Sequence, residues 1–327
     1  MRTRVIIFGI LCVLMLVVPL LSPIAAKRNG TEIKIERQPE KPASGRIIKI
    51  YDKADGKVMT LDMREYLIGA VMSEMPAEYG SEALKAQAIA THSYALCVEK
   101  IQQQSPSPEL CGAAFAVNTD TLEGFVTDRR ARNIFGDSYD KYYIKISSAV
   151  DEVLNLILTC DGEPIAACYH AISPGMTEYS ENVFGSPRSY LVAVDSSLDT
   201  TASDYLSTAE FTSGELSALL RQYDGSEPSG KPSEWLGTPS YSKSGTVLNL
   251  NIGGTEYTGQ QLRSALSLRS AAFDVVYENS KFVFTVRGYG HAVGMSQYGA
   301  NCLAAQGYDY TQILSHYYPT AELTTTE

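Results

Sequence analysis

MSEMPAEYGSEALKAQAIATHSYAL, residues 72–96, encodes a helix, a proline corner and a second helix in one run. Pro76 cannot continue a helix and biases Met75 toward extended backbone, so the first helix stops at Glu74. Gly80-Ser81 offers a start for the next helix, and Ala83, Ala86, Ala88, Ala90 and Ala95 on it let another backbone come close. Glu74 is thereby aimed from a sharp corner instead of lying on a solvated face. The simpler reading is a buried turn in which Glu74 caps a neighbour or pairs with Lys85.

Far downstream, RGYGHAVGMSQYGA (287–300) follows the alternating strand Phe282, Phe284, Val286 and holds Gly288, Gly290, Gly294 and Gly299. Glycine at that density signals positive φ angles or close backbone approach. Tyr289, His291, Ser296, Gln297 and Tyr298, set between the glycines, are the residue types of a sugar-binding wall.

Outward from these two blocks the pattern is mixed. Hairpins are signalled at Asp55-Gly56, Asp161-Gly162 and Gly253-Gly254, and between Val276 and Phe282. Helices are predicted over 63–74, 82–103, 213–222, 259–267, 297–306 and 309–317. The fold class is α+β: residues 45–327 form one catalytic domain of helices and antiparallel hairpins, open to a two-lobed arrangement around a cleft. Residues 5–26 are apolar apart from Ser22 and follow Arg2 and Arg4, which reads as a single-pass anchor with 1–4 as a cytoplasmic tip and the domain outside. A cleaved signal peptide is the alternative, since Ala25-Ala26 are small. Residues 27–44 are polar, charged and Pro-containing, a stalk. With 27 Lys+Arg against 37 Asp+Glu, net charge −10, and no basic stripe, nucleic acid is not expected as a partner.

YLIGAVMSEMPAEYGSEALKAQAIATHSYAL (66–96), YHAISPGMTEYSENVFG (169–185), TGQQLRSALSLRSAAFDV (258–275) and RGYGHAVGMSQYGANCLAAQGYDYTQILSHYYP (287–319) resemble, in order, the blocks of the stage II sporulation protein D family and its LytB-type amidase-enhancer relatives. The resemblance implies a membrane-anchored lytic transglycosylase of sporulation and engulfment that cuts peptidoglycan glycan strands, preferably peptide-stripped, to 1,6-anhydro-N-acetylmuramic acid ends. Its acid is the Glu of the SEMP motif, here Glu74, and burial against Met72 and Met75 is expected to raise its pKa. The implied partners are stage II sporulation proteins P, an amidase, and M. Lys85, His92, His170, Ser173, Tyr289, His291, Ser296, Gln297 and Tyr298 are the expected substrate-binding residues. The chain departs from the family pattern where His92 replaces an Arg, Pro174 a Gly and Ala292 a Gly. The LytB-type resemblance and the departures at His92 and Pro174 keep a second class open, a non-catalytic glycan-binding module that enhances a cell-wall amidase.

Some family members bind zinc through a His and two Cys after the second helix. This chain has Cys111 there and no His between 93 and 169, so no metal and no cofactor are expected. In a two-residue turn at Asp161-Gly162, Cys160 opposes Glu163 and Cys168 opposes Asn155, about 15 Å apart, which disfavours a disulfide between them. Cys97 and Cys111 are read either as a bridge or as free thiols. His316 reads as a packed or capping histidine and Trp235 as surface-packed; family patterning gives Arg263 and Arg269 structural roles.

Overall fold

The computed structural model describes residues 44–326; the anchor and nearly all of the stalk lie outside the described residues. Strands β1 (Ile47–Asp52) and β2 (Lys57–Asp62) form the hairpin expected at Asp55-Gly56, in register from Ile47↔Asp62 to Asp52↔Lys57. Asp62 then caps α1 (Met63–Glu74), its carboxylate accepting the Arg64 N–H. Helix α1 ends where proline demands, with Met75 extended at φ −124° and ψ 142°. Across the corner runs α2 (Ser81–Gln104), which buries Ala83, Ala86, Ala88, Ala90 and Ala95. The short strand β3 (Phe115–Val117) lies parallel to β1.

Helices α3 (Asp128–Phe135) and α4 (Tyr139–Val153) go beyond the sequence reading. The longer of them, α4, buries Tyr139, Ile146, Ala149, Val150 and Val153 and is clamped to α1 by the two-pronged bond of Arg64 to Asp151, at 2.7 and 3.1 Å. Its apolar spacing is helical, but the intervening YYIK run breaks the stripe with amphipathic residues. Strands β4 (Leu156–Cys160) and β5 (Glu163–Pro164) turn with Cys160 opposite Glu163, as expected. The Ile165 N–H still reaches the Leu158 carbonyl at 3.1 Å, but beyond it the chain leaves the hairpin and the Cys168 carbonyl accepts the Met295 N–H at 3.1 Å, so Cys168 does not oppose Asn155. The five described cysteines are all free thiols.

After β6 (Tyr169–His170) and α5 (Ser180–Phe184), the chain builds a second unit from β7 (Leu206–Thr212), α6 (Ser213–Asp224), β8 (Ser240–Tyr241), β9 (Val247–Ile252), β10 (Thr255–Tyr257), α7 (Gly259–Leu266), β11 (Phe273–Glu278) and β12 (Lys281–Arg287). Its sheets run β11-β12-β7 and β10-β9-β8, all antiparallel. Their inward faces and the two helices bury a core of their own around Leu216, Leu250, Tyr257, Phe273, Phe282 and Phe284. Trp235 belongs to that core, stacked on Phe282 with ring centroids 5.4 Å apart, so it is a core residue and not surface-packed as expected. The chain then returns through β13 (Met295–Ser296), α8 (Gln297–Ala305), α9 (Tyr310–Tyr317) and β14 (Glu322–Thr325) to the first core, where β13 pairs parallel with β6 and β14 antiparallel with β4. The fold is α+β, with two hydrophobic cores, and the return across 287–297 brings the glycine-rich block onto the first core.

Candidate active site around Glu74

Glu74 is the last residue of α1 and only 6% exposed. Its Oε2 is buried without a hydrogen-bond partner. Burial pushes the carboxyl up to about 7, while the Gln297 side chain and the Gly124 N–H nearby favour the charged form and Glu123 opposes it. The pKa is raised, in the direction expected from the sequence. The same corner buries Met72 and Met75.

Gln297 is set by its own network. Its amide nitrogen donates to Gln87 Oε1 at 3.3 Å, and Gln87 in turn donates to Thr91 one helical turn on, at 3.0 Å. All three are buried. Ser296 caps α8, accepting the Gly299 N–H at 3.2 Å, and donates its hydroxyl proton to Asp199 Oδ1 at 2.9 Å. Asp199 is fully buried and also accepts from the Ser173 N–H and the Ser196 hydroxyl, both at 2.9 Å. Burial raises its pKa against the pull of these serines. Gln87 and Asp199 are absent from the sequence reading: an isolated Gln on an Ala-rich helix looks like a solvated position, and Asp199 sits in a Ser/Thr-rich run without local pattern.

The glycine-rich block meets 168–173 along their backbones. Tyr289 and Ile172 exchange two backbone bonds, at 2.7 and 3.0 Å, and the Tyr298 N–H reaches the Ala171 carbonyl at 3.0 Å. Gly290 has φ +115°, and a Cβ there would stand 2.7 Å from that of His170. Ala292, in place of a glycine, is held at φ +64°, a left-handed conformation that is strained for alanine. Val293 orients both histidines: its carbonyl lies 3.2 Å from His170 Nδ1 and its N–H donates to His291 Nδ1 at 3.1 Å. A carbonyl only accepts, so His170 carries its proton on Nδ1 and presents a bare Nε2. The two rings lie 5.7 Å apart. Burial lowers His170 to about 4 and His291 well below its usual value, so both are neutral near pH 7. Tyr298 completes this wall, its hydroxyl 3.3 Å from Thr201 Oγ1.

Ser296, Ser173, His170, His291, Tyr289 and Tyr298 are thus linked to one another where the 287–298 and 169–173 segments meet, and of the expected residues Gln297 is the one whose side chain acts on Glu74. Lys85 is engaged elsewhere: its ammonium lies 2.6 Å from Glu152 and 2.8 Å from Glu82, an ion-paired corner with no charge left for a substrate. His92 faces the interior, 2% exposed with neither ring nitrogen in a standard hydrogen bond, and burial followed by the Arg46 charge lowers it to about 4. His316 sits 2.7 Å from the Asp195 carbonyl, a tether for α9. Among the described residues, no group of three or more His, Cys, Asp or Glu is placed to hold a metal ion. A cavity of about 410 Å³ lined by Ile68, Met72, Phe125, Val126 and Tyr139 adjoins α1 but does not include Glu74.

The buried neutral His92 makes a stability prediction. The unfolded side chain binds a proton below about 6.5 and the folded one only near 4, so stability is lost as pH falls across that window. His92→Leu is expected to recover about 3 kcal/mol of the loss between pH 7 and pH 4, read from thermal melts. An acid limb identical to that of the parent would contradict it.

A family model described as stage II sporulation protein matches residues 51–160. The chain is similar to the stage II sporulation protein D of Bacillus subtilis, 32% identical over 97% of this chain and 94% of the relative. It is also similar to the protein of that name from Bacillus amyloliquefaciens, 31% identical over the same shares. The amidase enhancer of Bacillus subtilis matches at 27% identity over 79% of this chain and 40% of the relative.

Proposed function

The chain belongs to the stage II sporulation protein D family, and from that premise we propose that it is a lytic transglycosylase of peptidoglycan glycan strands with Glu74 as its acid and base. The observation that carries the reading is the Glu74 carboxyl, buried at a helix end, unpartnered at Oε2 and pushed up to about 7, so that it holds a proton near neutral pH. That proton passes to the departing glycosidic oxygen as the C1–O bond breaks. The carboxylate left behind takes the proton of the C6 hydroxyl on the same muramic residue, whose oxygen bonds to C1 and closes the 1,6-anhydro ring. Gln297, braced by Gln87, favours the carboxylate form that the first step creates. No second carboxylate is required as nucleophile. Because Oε2 is shielded, a strand reaches it only by displacing part of the surrounding shell.

We also propose a cell-membrane location through residues 5–26, with the domain extracytoplasmic and working beside a cell-wall amidase. The apolar run behind Arg2 and Arg4 and the likeness to an amidase enhancer support this. That likeness also favours a second reading, a glycan-binding module without cleavage.

Mass spectrometry of peptide-stripped strands incubated with the full chain separates the two. Anhydro-ended fragments are the expected result; intact strands that remain bound would leave the binding module. With a general acid near 7, kcat/KM is expected to fall about tenfold per pH unit above neutrality, and a flat alkaline limb would remove Glu74 from that role.

A further inference from the structure

The described chain begins beside a groove. Ser44 donates its N–H and its hydroxyl to the Asp62 carboxylate, at 3.2 and 3.0 Å, so the chain enters the fold at the start of α1. The cavity of about 410 Å³ opens along that helix: Glu65, Ile68, Gly69 and Met72 line it at helical spacing, facing Phe125, Val126 and the start of α4. Its floor is apolar, and Asp62, Glu65 and Asp128 make its rim acidic. Arg64, the one cation among its lining residues, is taken by Asp151. Asp128 already accepts from Arg132 and Tyr139. Glu65, among the described residues, forms no ion pair; partial burial, then the Asp62 and Asp128 charges, raise its carboxyl.

The stalk supplies both complements. In KRNGTEIKIERQPEKPA (27–43), Ile33 and Ile35 are the large apolar residues, and with Arg37 they recur at every second position. In extended chain these three side chains share one face, while Glu32, Lys34 and Glu36 take the other. Lys27, Arg28, Lys34, Arg37 and Lys41 outweigh Glu32, Glu36 and Glu40, so the segment is net basic. Pro39 and Pro42 favour extended backbone on the way to Ser44. The stretch from Arg37 to Ser44 reaches at most about 25 Å. The groove needs less, since α1 advances only about 10 Å from Glu65 to Met72.

We infer that the stalk docks in this groove as an extended strap, with Ile33 and Ile35 on the apolar floor and the Arg37 guanidinium at the acidic rim beside Glu65. Helix α1 carries both the groove and, at its far end, Glu74. Undocked, residues 27–43 span up to about 60 Å. Docked, they leave only 27–32, at most about 22 Å, between the groove and the apolar run 5–26. The strap therefore holds the Glu74 helix at a set distance from wherever that run is anchored.

The test uses the full chain in detergent micelles, with Ile35 replaced by the photo-crosslinker p-benzoylphenylalanine. Irradiation is expected to join position 35 to the peptides carrying Ile68 and Met72 or Phe125 and Val126 of the same molecule. Trypsin cleavage after Lys34, in the chain without the crosslinker, reads the open population. Arg37→Glu and Glu65→Arg should each speed it about 3–10-fold, as loss of a half-exposed ion pair and its replacement by like charges would. The two together reverse the pair and should return cleavage to the parent rate, which a merely local effect of either residue would not do. Cross-links outside the groove, or none, would overturn the strap, as would a double variant no slower than the single ones. Cross-links between two molecules would also overturn it, giving the groove to a second copy.

Discussion

Glu74→Gln is expected to lower the rate of strand cleavage about 10²–10⁴-fold, the contribution of a positioned general acid, or roughly 3–5 kcal/mol of barrier. The same substitution should make the protein more stable in alkali. The folded carboxyl, raised by burial from 4.5 to about 7, holds a proton that the unfolded chain has already released. Stability is therefore lost as pH rises from about 4.5 through 7, and by pH 8 the ionised group costs about 3 kcal/mol. A neutral amide avoids that cost. Thermal melts at pH 5 and pH 8, beside anhydro-product formation, should show lost activity with a midpoint raised mainly at pH 8. An active variant, or one destabilised at pH 8, would mean that the carboxyl is a structural group.

Gly294→Ala is expected to cost about 2–5 kcal/mol of stability and to abolish activity with it. Gly294 lies at φ +72°, where an L side chain costs about 1–2 kcal/mol. A Cβ there would also collide with the Cys168 carbonyl oxygen, a backbone atom that cannot rotate away, and overpacking of this kind adds about 1–3 kcal/mol. The displaced strand is β13, whose pairing with β6 holds Ser296 in register two residues from the collision, with Gln297 directly after it at the start of α8. Gly225 is the control. It has φ +83° after α6 with open space around the absent Cβ, so Gly225→Ala carries only the conformational part, about 1 kcal/mol. Urea midpoints compare the two; equal losses would mean that the close approach at Gly294 does not hold the block in place.

Much of this architecture was legible along the chain because its signals are local. Pro76 ends α1, and alternation with Asn, Asp or Gly turns marks the hairpins. Helix α4 was not legible: its apolar stripe is interrupted by tyrosines and a lysine whose rings and stem pack while their tips reach solvent. At the site, Glu74 and the glycine-rich block stand out in the sequence, whereas Gln87 and Asp199 gain meaning only from partners more than ninety residues away. Lys85 and His92 show the converse. They share the α2 sequence block with Gln87, but helical rotation turns Lys85 onto Glu82 and Glu152 and His92 into the core.

The sequence by itself determined the family, the α+β class, the corner at Glu74 and the glycines that mark a close approach, since proline, glycine and periodicity act within a few residues. Only the tertiary structure decided what that corner does to its carboxyl, which histidines stay neutral and which carboxylates hold Lys85. Desolvation, ion pairing and hydrogen-bond satisfaction depend on what the rest of the chain brings within a few ångströms, and no local pattern encodes that.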